Sequence, residues 1–264
     1  MGGQASAGSP GDPALTRIDP VTQGTLLGGR VAYRQFRDGY RTGIEPVLLA
    51  AAVPAKAGAQ VLEAGCGAGA GLLCLGSRIG GINGTGIEQD PGTAALARQN
   101  LDANGLDWPL LVAPVDTVSA ETIGRFDHAM ANPPWHRAGT SMSASLRRDL
   151  AKRAPAGTLE IWTRSLARLL REGGTLTLIL PAALHAEAAA AMTGCGIGGI
   201  RLLPFWPTEG RPARIALIQG IAGSRGDGAI LPGLVLHRPG GGYTDAAEAV
   251  LRDGAALPMD AGVG

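Results

Sequence analysis

The sequence contains few cysteines, few aromatic residues and no long apolar run. Its cysteines, Cys66, Cys74 and Cys195, are odd in number and scattered, which argues against a disulfide framework and against a zinc site. We therefore expect no metal. No apolar run reaches the roughly 18 residues that a membrane-spanning helix needs. These absences favour a reduced, cytoplasmic protein with no membrane partner.

The sequence also has no large excess of positive or negative charge, because its formal net charge is +1. This excludes a uniformly basic nucleic-acid-binding protein but leaves room for a local basic face. Only Lys56 and Lys152 are lysines, and all other basic residues except the histidines are arginines. Arginine forks onto phosphate better than lysine does. However, the abundance of Ala and Gly makes genome composition a sufficient explanation for most of the arginines.

Apolar segments of strand length and helix length alternate from residue 61 onward. The strands are predicted at 61–64, 85–88, 110–113, 127–131, 175–180, 200–203 and 214–219, and the helices between them at 69–79, 91–104, 159–170 and 182–192. Asp90 is the predicted N-cap of the second helix, Thr158 is that of the third, and Gly173 and Gly174 are predicted to stop the third helix. This alternation predicts an α/β fold with a mostly parallel sheet covered on both faces. The last two strands have no helix-length segment between them, so we expect an antiparallel pair. The prediction is a doubly wound, Rossmann-like, seven-stranded sheet whose last strand is antiparallel.

The domain organisation follows from composition along the chain. Residues 1–14 are small, polar and rich in Gly and Pro, which predicts disorder. Residues 15–223 hold the predicted domain, including a short hairpin within 28–36 and a helix at 44–53. Residues 224–264 are rich in Gly and Pro, and we expect them to form an appendage packed on the same domain.

A glycine-rich turn, Gly65-Cys66-Gly67-Ala68-Gly69, follows the first predicted strand. Its glycines allow a tight turn and a close approach of the backbone to a ligand. The pattern fits a dinucleotide site as well as a methyltransferase loop, so alone it is a weak signal. We take Gly65, Cys66, Gly67 and Gly69 as candidate cofactor-binding residues, the alternative being a plain tight turn.

Acidic residues at the strand ends help to separate these cofactor classes. Glu63 lies two residues before the first glycine, where a carboxylate would repel a pyrophosphate and attract the amino group of S-adenosylmethionine. Glu88, with Gln89 beside it, ends the second strand, where an acid bridges ribose hydroxyls in either class. Asp116 follows the third strand and is a candidate contact for the adenine amino group. Glu63 and Glu88 each have the plainer alternative of a solvated strand-end charge.

The most informative segment is Asn132-Pro133-Pro134-Trp135, directly after the fourth predicted strand. In an open α/β sheet, ligands bind at the carboxyl ends of the strands. Proline fixes φ, so Pro133 and Pro134 would hold the Asn132 amide rigidly. The Asn132 side-chain oxygen and the Pro133 carbonyl can accept both hydrogens of an –NH₂ group, while Trp135 offers a flat face for stacking. We predict methyl transfer to a nitrogen; the plainer alternative is a stiff loop with Trp135 in the core.

These motifs resemble the class I S-adenosylmethionine-dependent methyltransferases whose fourth strand ends in Asn-Pro-Pro-aromatic. The likeness is strongest to the bacterial tRNA(Val) adenine N6-methyltransferase-like family and covers about residues 26–255. It is carried by Leu27-Gly28-Gly29, by the segment 35–50 with Gly39-Tyr40-Arg41-Thr42-Gly43, by the glycine turn and by Asn132–Trp135. The same group includes glutamine N5-methyltransferases acting on release factors and guanine N2 enzymes acting on ribosomal RNA.

The resemblance implies roles for individual residues. Tyr40, Arg41 and Thr42 would close over the cofactor, Glu63, Gly65 and Gly67 would hold its methionine end, and Glu88 would hold its ribose. Two departures stand out. Tyr or Phe is commoner than Trp at position 135, and the usual Gly-Asp after the third strand is replaced by Pro114-Val115-Asp116, which puts the contact between Asp116 and adenine in doubt.

A basic segment follows the Asn-Pro-Pro-Trp turn. It contains Arg137, Arg147, Arg148, Lys152 and Arg153. Beside the pocket it could meet the phosphates of a folded RNA, and we expect this RNA to be a tRNA. The alternative is a solvated helix face, which is the usual role of a charge run.

The sequence thus predicts methyl transfer from S-adenosylmethionine to an exocyclic amine, with adenine N6 of tRNA as the first candidate. Protein glutamine N5-methylation uses the same turn on an amide and is the first alternative. An NAD-dependent oxidoreductase with the same glycine turn is a second alternative, and a non-catalytic binding protein is a third.

Overall fold

The structure is a computed structural model, and it describes residues 20–38, 41–134, 136–137, 153–154 and 157–260. The strands are β1 Val21–Leu26, β2 Val31–Phe36, β3 Gln60–Ala64, β4 Asn83–Glu88, β5 Leu110–Val112, β6 Phe126–Ala131, β7 His136–Arg137, β8 Arg153–Ala154, β9 Leu170–Pro181, β10 Ile197–Trp206, β11 Ile215–Ala222, β12 Ala229–Ile230 and β13 Leu234–Val235. The helices are α1 Glu45–Ala52, α2 Ala70–Arg78, α3 Pro91–Ala103, α4 Ala120–Ile123, α5 Thr158–Leu169, α6 His185–Gly194 and α7 Asp245–Leu251.

The central sheet has the strand order β5-β4-β3-β6-β9-β11-β10, with β12 and β13 pairing the outer side of β10. Neighbouring strands from β5 to β9 are parallel, whereas β11 is antiparallel to both β9 and β10. The predicted doubly wound fold with an antiparallel last strand is therefore confirmed. The last strand lies inside the sheet, between β9 and β10, and β12 and β13 raise the described strands of this sheet from seven to nine.

Two apolar cores lie on opposite faces of the sheet. One contains the buried leucines of α1 and α2 and residues of α7, and the other contains Leu159, Leu166 and Leu169 of α5 together with Met192 of α6. The buried side chains of α5 recur at helical spacing, so this helix lays one apolar stripe on the sheet. Helices thus cover both faces of the sheet.

Several predicted boundaries shift for local reasons. Thr158 was expected to cap α5, but the N-cap is Gly157, in the left-handed region at φ +83°, and Thr158 is the first residue of the helix. The helix ends at Leu169 instead of at Gly173 and Gly174, which lie inside β9. β9 begins at Leu170, five residues before the predicted strand. Its pairing with β6 has a register shift between Phe126 and His128, and beyond this shift Phe126 still pairs with Leu170.

The N-terminal hairpin is longer than predicted. It comprises β1 and β2, whose pairing runs from Val21 opposite Phe36 to Leu26 opposite Val31. The outer edge of β2 meets α3, where the buried Asn100 bonds both the N–H and the carbonyl of Arg34 at 3.0 and 2.8 Å. Asn104 does the same with Ala32. The two side-chain amides thus make the backbone hydrogen bonds that a neighbouring strand would make with β2, and they hold the hairpin against α3.

The C-terminal segment contacts the rest of the chain at several points. Two short strands pair with β10, and Leu257 N–H donates to the carbonyl of Ala51 at 2.8 Å. In α7, Ala247, Val250 and Leu251 are buried in the core shared with α1. Residues 1–14, which we expect to be disordered, and 261–264 lie outside the described residues.

Candidate active site

The glycine turn and the Asn-Pro-Pro turn leave the same edge of the sheet. They follow β3 and β6, which are adjacent and parallel, and Ala64, the last residue of β3, pairs with Ala131, the last residue of β6. Gly65 and Asn132 therefore start their turns at the same level, and neighbouring strands lie about 4.8 Å apart. In open α/β sheets this carboxyl edge is where ligands bind.

The backbone of the glycine turn needs its glycines. Gly65, Gly67 and Gly69 have φ values of +62°, +55° and +87°, which residues with a Cβ rarely adopt. A Cβ on Gly67 would meet no atom within 4 Å, so the turn is open above this residue. Gly69 is the N-cap of α2 and donates its N–H to the carbonyl of Cys66 at 2.8 Å.

Glu63 places a buried carboxyl group beneath this turn. Its side chain is 4% exposed, and Oε2 accepts the N–H of Leu72 in α2 at 2.8 Å. Gly71 makes room for the carboxyl, since a Cβ there would collide with it. Burial raises the pKa of Glu63 to about 8, the Leu72 N–H lowers it, and the nearby Glu88 raises it further. A buried acid of this kind favours a cationic partner.

Glu88 connects the end of β4 to the glycine turn. Its Oε2 accepts the N–H of Gly67 at 3.0 Å and its Oε1 accepts the N–H of Asp90 at 2.9 Å. Burial raises its pKa, and the two N–H donors lower it. The side chain is half-buried, whereas Gln89 next to it is exposed. Both lie on the side of the glycine turn away from Asn132.

Cys66 contributes to the turn through its backbone. Its N–H donates to the carbonyl of Ile87 at 3.0 Å, which ties the turn to β4. The thiol is buried, and a Cβ on Gly86 would lie 2.9 Å from its Sγ. Burial and the nearby carboxyl groups raise the pKa of this thiol well above its usual value. The side chain thus faces the core and leaves only the backbone of Cys66 for a ligand.

Thr42 lies in the segment between the hairpin and α1. Its hydroxyl is 2.7 Å from the Tyr33 hydroxyl, and its N–H donates to Gln35 Oε1 at 3.0 Å. Arg41 is exposed. Tyr40 lies outside the described residues. The segment is thus anchored to β2, which α3 in turn holds in place.

The structure describes three residues of the Asn-Pro-Pro-Trp turn. Asn132 and Pro134 are half-buried, and Pro133 is buried. Trp135 lies outside the described residues. Asn132 follows Ala129, Met130 and Ala131, which are all fully buried. The turn therefore begins directly after the buried central part of the sheet.

Asp116 lies farther from the centre of the site. It is exposed in a 3-10 turn, Val115–Thr117, after the edge strand β5. Val115 beside it is buried and packs in the same core as α5. The proline that precedes this turn adopts an extended conformation, and the turn that contains Asp116 begins directly after it.

Two residues of the basic segment have a described backbone. Arg137 lies in β7 and Arg153 in β8, and these two short strands pair in parallel, with His136 opposite Arg153. The segment therefore returns to the Asn-Pro-Pro-Trp turn. Arg147, Arg148 and Lys152 lie outside the described residues.

Sequence reasoning missed two residues that shape this site. Asn100 donates to the carbonyl of Ala68 at 2.9 Å, so it joins the hairpin to the glycine turn. Trp162 of α5 lies over Gly65, where a Cβ would be 2.6 Å from its Cη2 atom. Both are distant in sequence from the residues they touch, so no local pattern marks them.

The sequence pattern of the methyltransferase small domain matches residues 44–194, more than half of the chain, and this range holds both turns. The chain belongs to this family. Membership confirms the expected class of S-adenosylmethionine-dependent methyltransferases and the cofactor of that class.

Two curated relatives are similar to part of this chain. A ribosomal RNA small subunit methyltransferase C of Salmonella arizonae is 34% identical over 148 residues, which are 56% of this chain and 38% of that protein. A tRNA1(Val) (adenine(37)-N6)-methyltransferase of Bacteroides thetaiotaomicron is 26% identical over 142 residues, 53% of this chain and 60% of that protein. The chain thus matches less than two thirds of the length of either relative.

Solved structures share the fold. The crystal structure of a predicted O-methyltransferase from Agrobacterium tumefaciens aligns over 82% of this chain and 99% of that one, with 25% identity and a TM-score of 0.68. A 16S rRNA N2 guanine methyltransferase from T. thermophilus, solved with AdoMet and guanosine, aligns over 80% of this chain and 52% of that one, with 21% identity and a TM-score of 0.56. The class I methyltransferase fold is confirmed.

The described residues fit S-adenosylmethionine. The turn above Gly67 is open, so a ligand can reach the backbone. Beneath the turn, the carboxyl of Glu63 matches a cationic amino group, and Glu88 offers acceptors for ribose hydroxyls. Among the described residues, no group of three or more His, Cys, Asp or Glu side chains is placed to hold a metal ion, and no helix is long and apolar enough to traverse a bilayer.

Proposed function

We propose that this chain transfers a methyl group from S-adenosylmethionine to the exocyclic amino group of a base in RNA, with adenine N6 of tRNA as the first candidate. One observation carries the proposal. The pairing of Ala64 with Ala131 sets the glycine turn and the Asn-Pro-Pro turn side by side at one edge of the sheet. A donor held by the first turn and an amine held by the second would share one cleft.

The cofactor roles follow the order of the strands. Glu63 binds the amino group at the methionine end, and the backbone of Gly65, Cys66, Gly67 and Gly69 forms the floor. On the other side, Glu88 and Gln89 bind the ribose hydroxyls, and Asp116 is the candidate contact for the adenine amino group. Tyr40, Arg41 and Thr42 cover the cofactor. The anchoring of Thr42 to Tyr33 and Gln35 supports this last role.

The amine roles belong to the second turn. When bound, S-adenosylmethionine supplies an electrophilic methyl group on its sulfonium. Asn132 accepts one hydrogen of the target amine through its side-chain oxygen, and the carbonyl of Pro133 accepts the other, which directs the nitrogen lone pair toward the methyl. Pro133 and Pro134 keep these acceptors rigid, and Trp135 stacks on the base. The nitrogen lone pair forms the new bond as the bond from the methyl to the sulfur breaks, and the methylated nitrogen then loses one proton to water. Positioning supplies most of the rate, so no general base is required.

The test uses the purified full chain, S-adenosylmethionine with a deuterated methyl group, and two unmodified substrates, total tRNA and ribosomal RNA. Mass spectrometry of the nucleosides should find labelled N6-methyladenosine in tRNA. The Asn132→Ala variant should lose at least about 100-fold in rate, as removal of one hydrogen-bonding group aimed at a reacting centre does, while it still binds S-adenosylhomocysteine. Wild-type rate in this variant would refute the assignment of Asn132.

A second candidate, guanine N2 of ribosomal RNA, is favoured by the 34% identity to the ribosomal RNA methyltransferase C of Salmonella arizonae. Guanine N2 is also an exocyclic amine, and the same turn would hold it. The nucleoside analysis separates the candidates, because labelled N2-methylguanosine in ribosomal RNA supports the second one. In a parallel reaction with a cell extract, label that enters only protein would contradict both candidates and would favour glutamine methylation.

The basic segment is the proposed contact with RNA phosphates. Its support is that β7 pairs with β8, which returns residues 153–154 to the turn that holds Asn132. Replacing Arg147, Arg148 and Arg153 together by alanine should weaken tRNA binding and reduce the slope of log affinity against log salt by about 2 to 3, since each lost phosphate contact contributes about 0.9. Binding measured by filter retention at several salt concentrations checks this. An unchanged slope would remove the segment from the interface.

A further inference from the structure

The indole of Trp162 lies directly on the first glycine of the cofactor turn. A Cβ on Gly65 would be 2.6 Å from Trp162 Cη2 and 3.2 Å from its Cζ3. The tip of the six-membered ring therefore occupies the space that a side chain at position 65 would fill. Gly65 is exposed, so the ring reaches the open surface of the turn.

Trp162 approaches the turn from the face of the sheet opposite to α2. Its neighbours on α5, Leu159, Thr163 and Leu166, are buried in or beside the core, with exposed fractions of 8%, 0% and 0%. Trp162 is only half-buried, and it packs against the edge of that core. A ring that served the core alone would be covered like its neighbours. Part of this residue is instead accessible, and the contact of its ring with Gly65 lies at the carboxyl edge of the sheet.

The strand order says which part of the cofactor meets this ring. Glu88 lies on β4, Gly65 follows β3, and Asn132 follows β6, so they line the edge in this order. The ribose partner is thus on one side of Gly65 and the amine partner on the other. Glu63, the buried acid suited to an ammonium group, lies on the same strand as Gly65. The methionine end belongs at the position of Trp162.

The chemistry of an indole suits that end of the cofactor. The amino group of the methionine end is cationic, and so is the sulfonium. Indole is the aromatic side chain that attracts cations best, and it also packs well on an aliphatic chain. A flat ring beside Gly65 would thus pack on the aliphatic part of the methionine end and attract its cationic groups.

We propose that Trp162 is a further cofactor-binding residue, whose indole forms the wall of the site at the methionine end and contacts the amino-acid part of the ligand. This inference rests on the function proposed above. It assigns to α5 a direct part in cofactor binding, in addition to its role in the core.

The test compares two ligands that differ at this end. S-adenosylhomocysteine carries the amino-acid part, and 5′-methylthioadenosine lacks it. Calorimetry with the purified full chain should show that Trp162→Leu weakens S-adenosylhomocysteine binding by about 5- to 30-fold, as loss of a desolvated cation–π contact does. Binding of 5′-methylthioadenosine should change by less than about twofold. The conservative variant Trp162→Phe should restore most of the S-adenosylhomocysteine affinity.

A spectroscopic readout covers the case in which Trp162→Leu does not fold. All variants here carry Trp135→Phe, which removes the other tryptophan proposed for the site. S-adenosylhomocysteine should change the tryptophan emission of this background and of the control variant Trp206→Phe, since Trp206 lies on β10, at the far side of the sheet. In Trp162→Phe this change should fall by at least about half. An undiminished change in Trp162→Phe would overturn the inference.

The remaining outcomes are distinct. Equal losses of affinity for both ligands in Trp162→Leu would show that the ring only supports the turn. An unchanged affinity for S-adenosylhomocysteine would show that the ring does not contact the ligand. Each of these two outcomes overturns the inference and leaves the proposed function standing. A wild-type protein that binds neither ligand would overturn the proposed function, and the role of Trp162 with it.

Discussion

Protonation of Glu63 should be coupled to cofactor binding. Burial raises the pKa of this carboxyl to about 8, with a smaller contribution from Glu88. At pH 7, one unit below that pKa, about nine tenths of the free protein carries the proton on Glu63. A cationic ligand amine stabilises the ionised carboxylate. Binding at pH 7 should therefore release close to one proton for each ligand bound.

The same coupling makes the affinity depend on pH. If the ligand binds only the ionised form, the apparent Kd is multiplied by about 100 at pH 6 and by about 4 at pH 7.5. The affinity for S-adenosylhomocysteine should therefore rise by up to about 25-fold across this interval, in which an α-amino group stays largely protonated. Partial binding to the protonated form reduces this factor without changing its sign.

Calorimetry in two buffers with different ionisation enthalpies measures the released proton directly. Two controls isolate Glu63. The variant Glu63→Gln keeps the size of the side chain but carries no titrating proton, and 5′-methylthioadenosine carries no ammonium group. Both should show little proton release and a flat pH dependence. Wild-type protein that binds S-adenosylhomocysteine with no proton release and a flat profile would refute the pairing of Glu63 with the amine.

Three further predictions concern the stability of the site. The pKa of Glu63 is raised from 4.5 to about 8. Its contribution to the free energy of unfolding is therefore complete below pH 4.5 and is lost as the pH rises to about 8. Urea titrations across this pH range should show a loss of up to about 5 kcal/mol in the wild type and no such loss in Glu63→Gln. Gly65→Ala should cost at least about 3 kcal/mol, because it adds a clash with Trp162 to a strained φ. Gly157→Ala, in the left-handed region with open space around it, should cost about 1 kcal/mol. Asn100→Ala breaks three hydrogen bonds and should cost about 3 kcal/mol and speed amide exchange in β2, while equal exchange in β2 would contradict its docking role.

The parts of the fold that the sequence predicts are those with a local cause. Asp90 followed by Pro91 starts α3 as predicted, since Asp90 accepts the N–H of Thr93 at 2.8 Å. The glycine turn and the Asn-Pro-Pro turn were found because each has its own short pattern. Their adjacency follows from the right-handed winding of strand-helix units, which places the first and fourth strands side by side at the centre of such sheets.

The parts that sequence reasoning missed depend on contacts between distant segments. Trp162 and Gly65 are far apart in the chain and meet only because α5 packs on this face of the sheet, from which the Trp162 ring reaches Gly65. In the sequence, Asn100 cannot be told from an ordinary polar residue of a helix, because its role depends on its hydrogen bonds to the backbone of β2. The N-cap of α5 was assigned to Thr158 because threonine is a common cap, whereas Gly157 occupies it in a left-handed conformation.

A crystal structure of the full chain with S-adenosylhomocysteine tests the central claim most directly. We predict that the ligand lies across the glycine turn, with its amino group at Glu63, its ribose at Glu88 and its sulfur facing Asn132. A ligand bound elsewhere, or one whose sulfur is turned away from Asn132, would contradict the account, because the methyl group and the target amine would then lie in separate places.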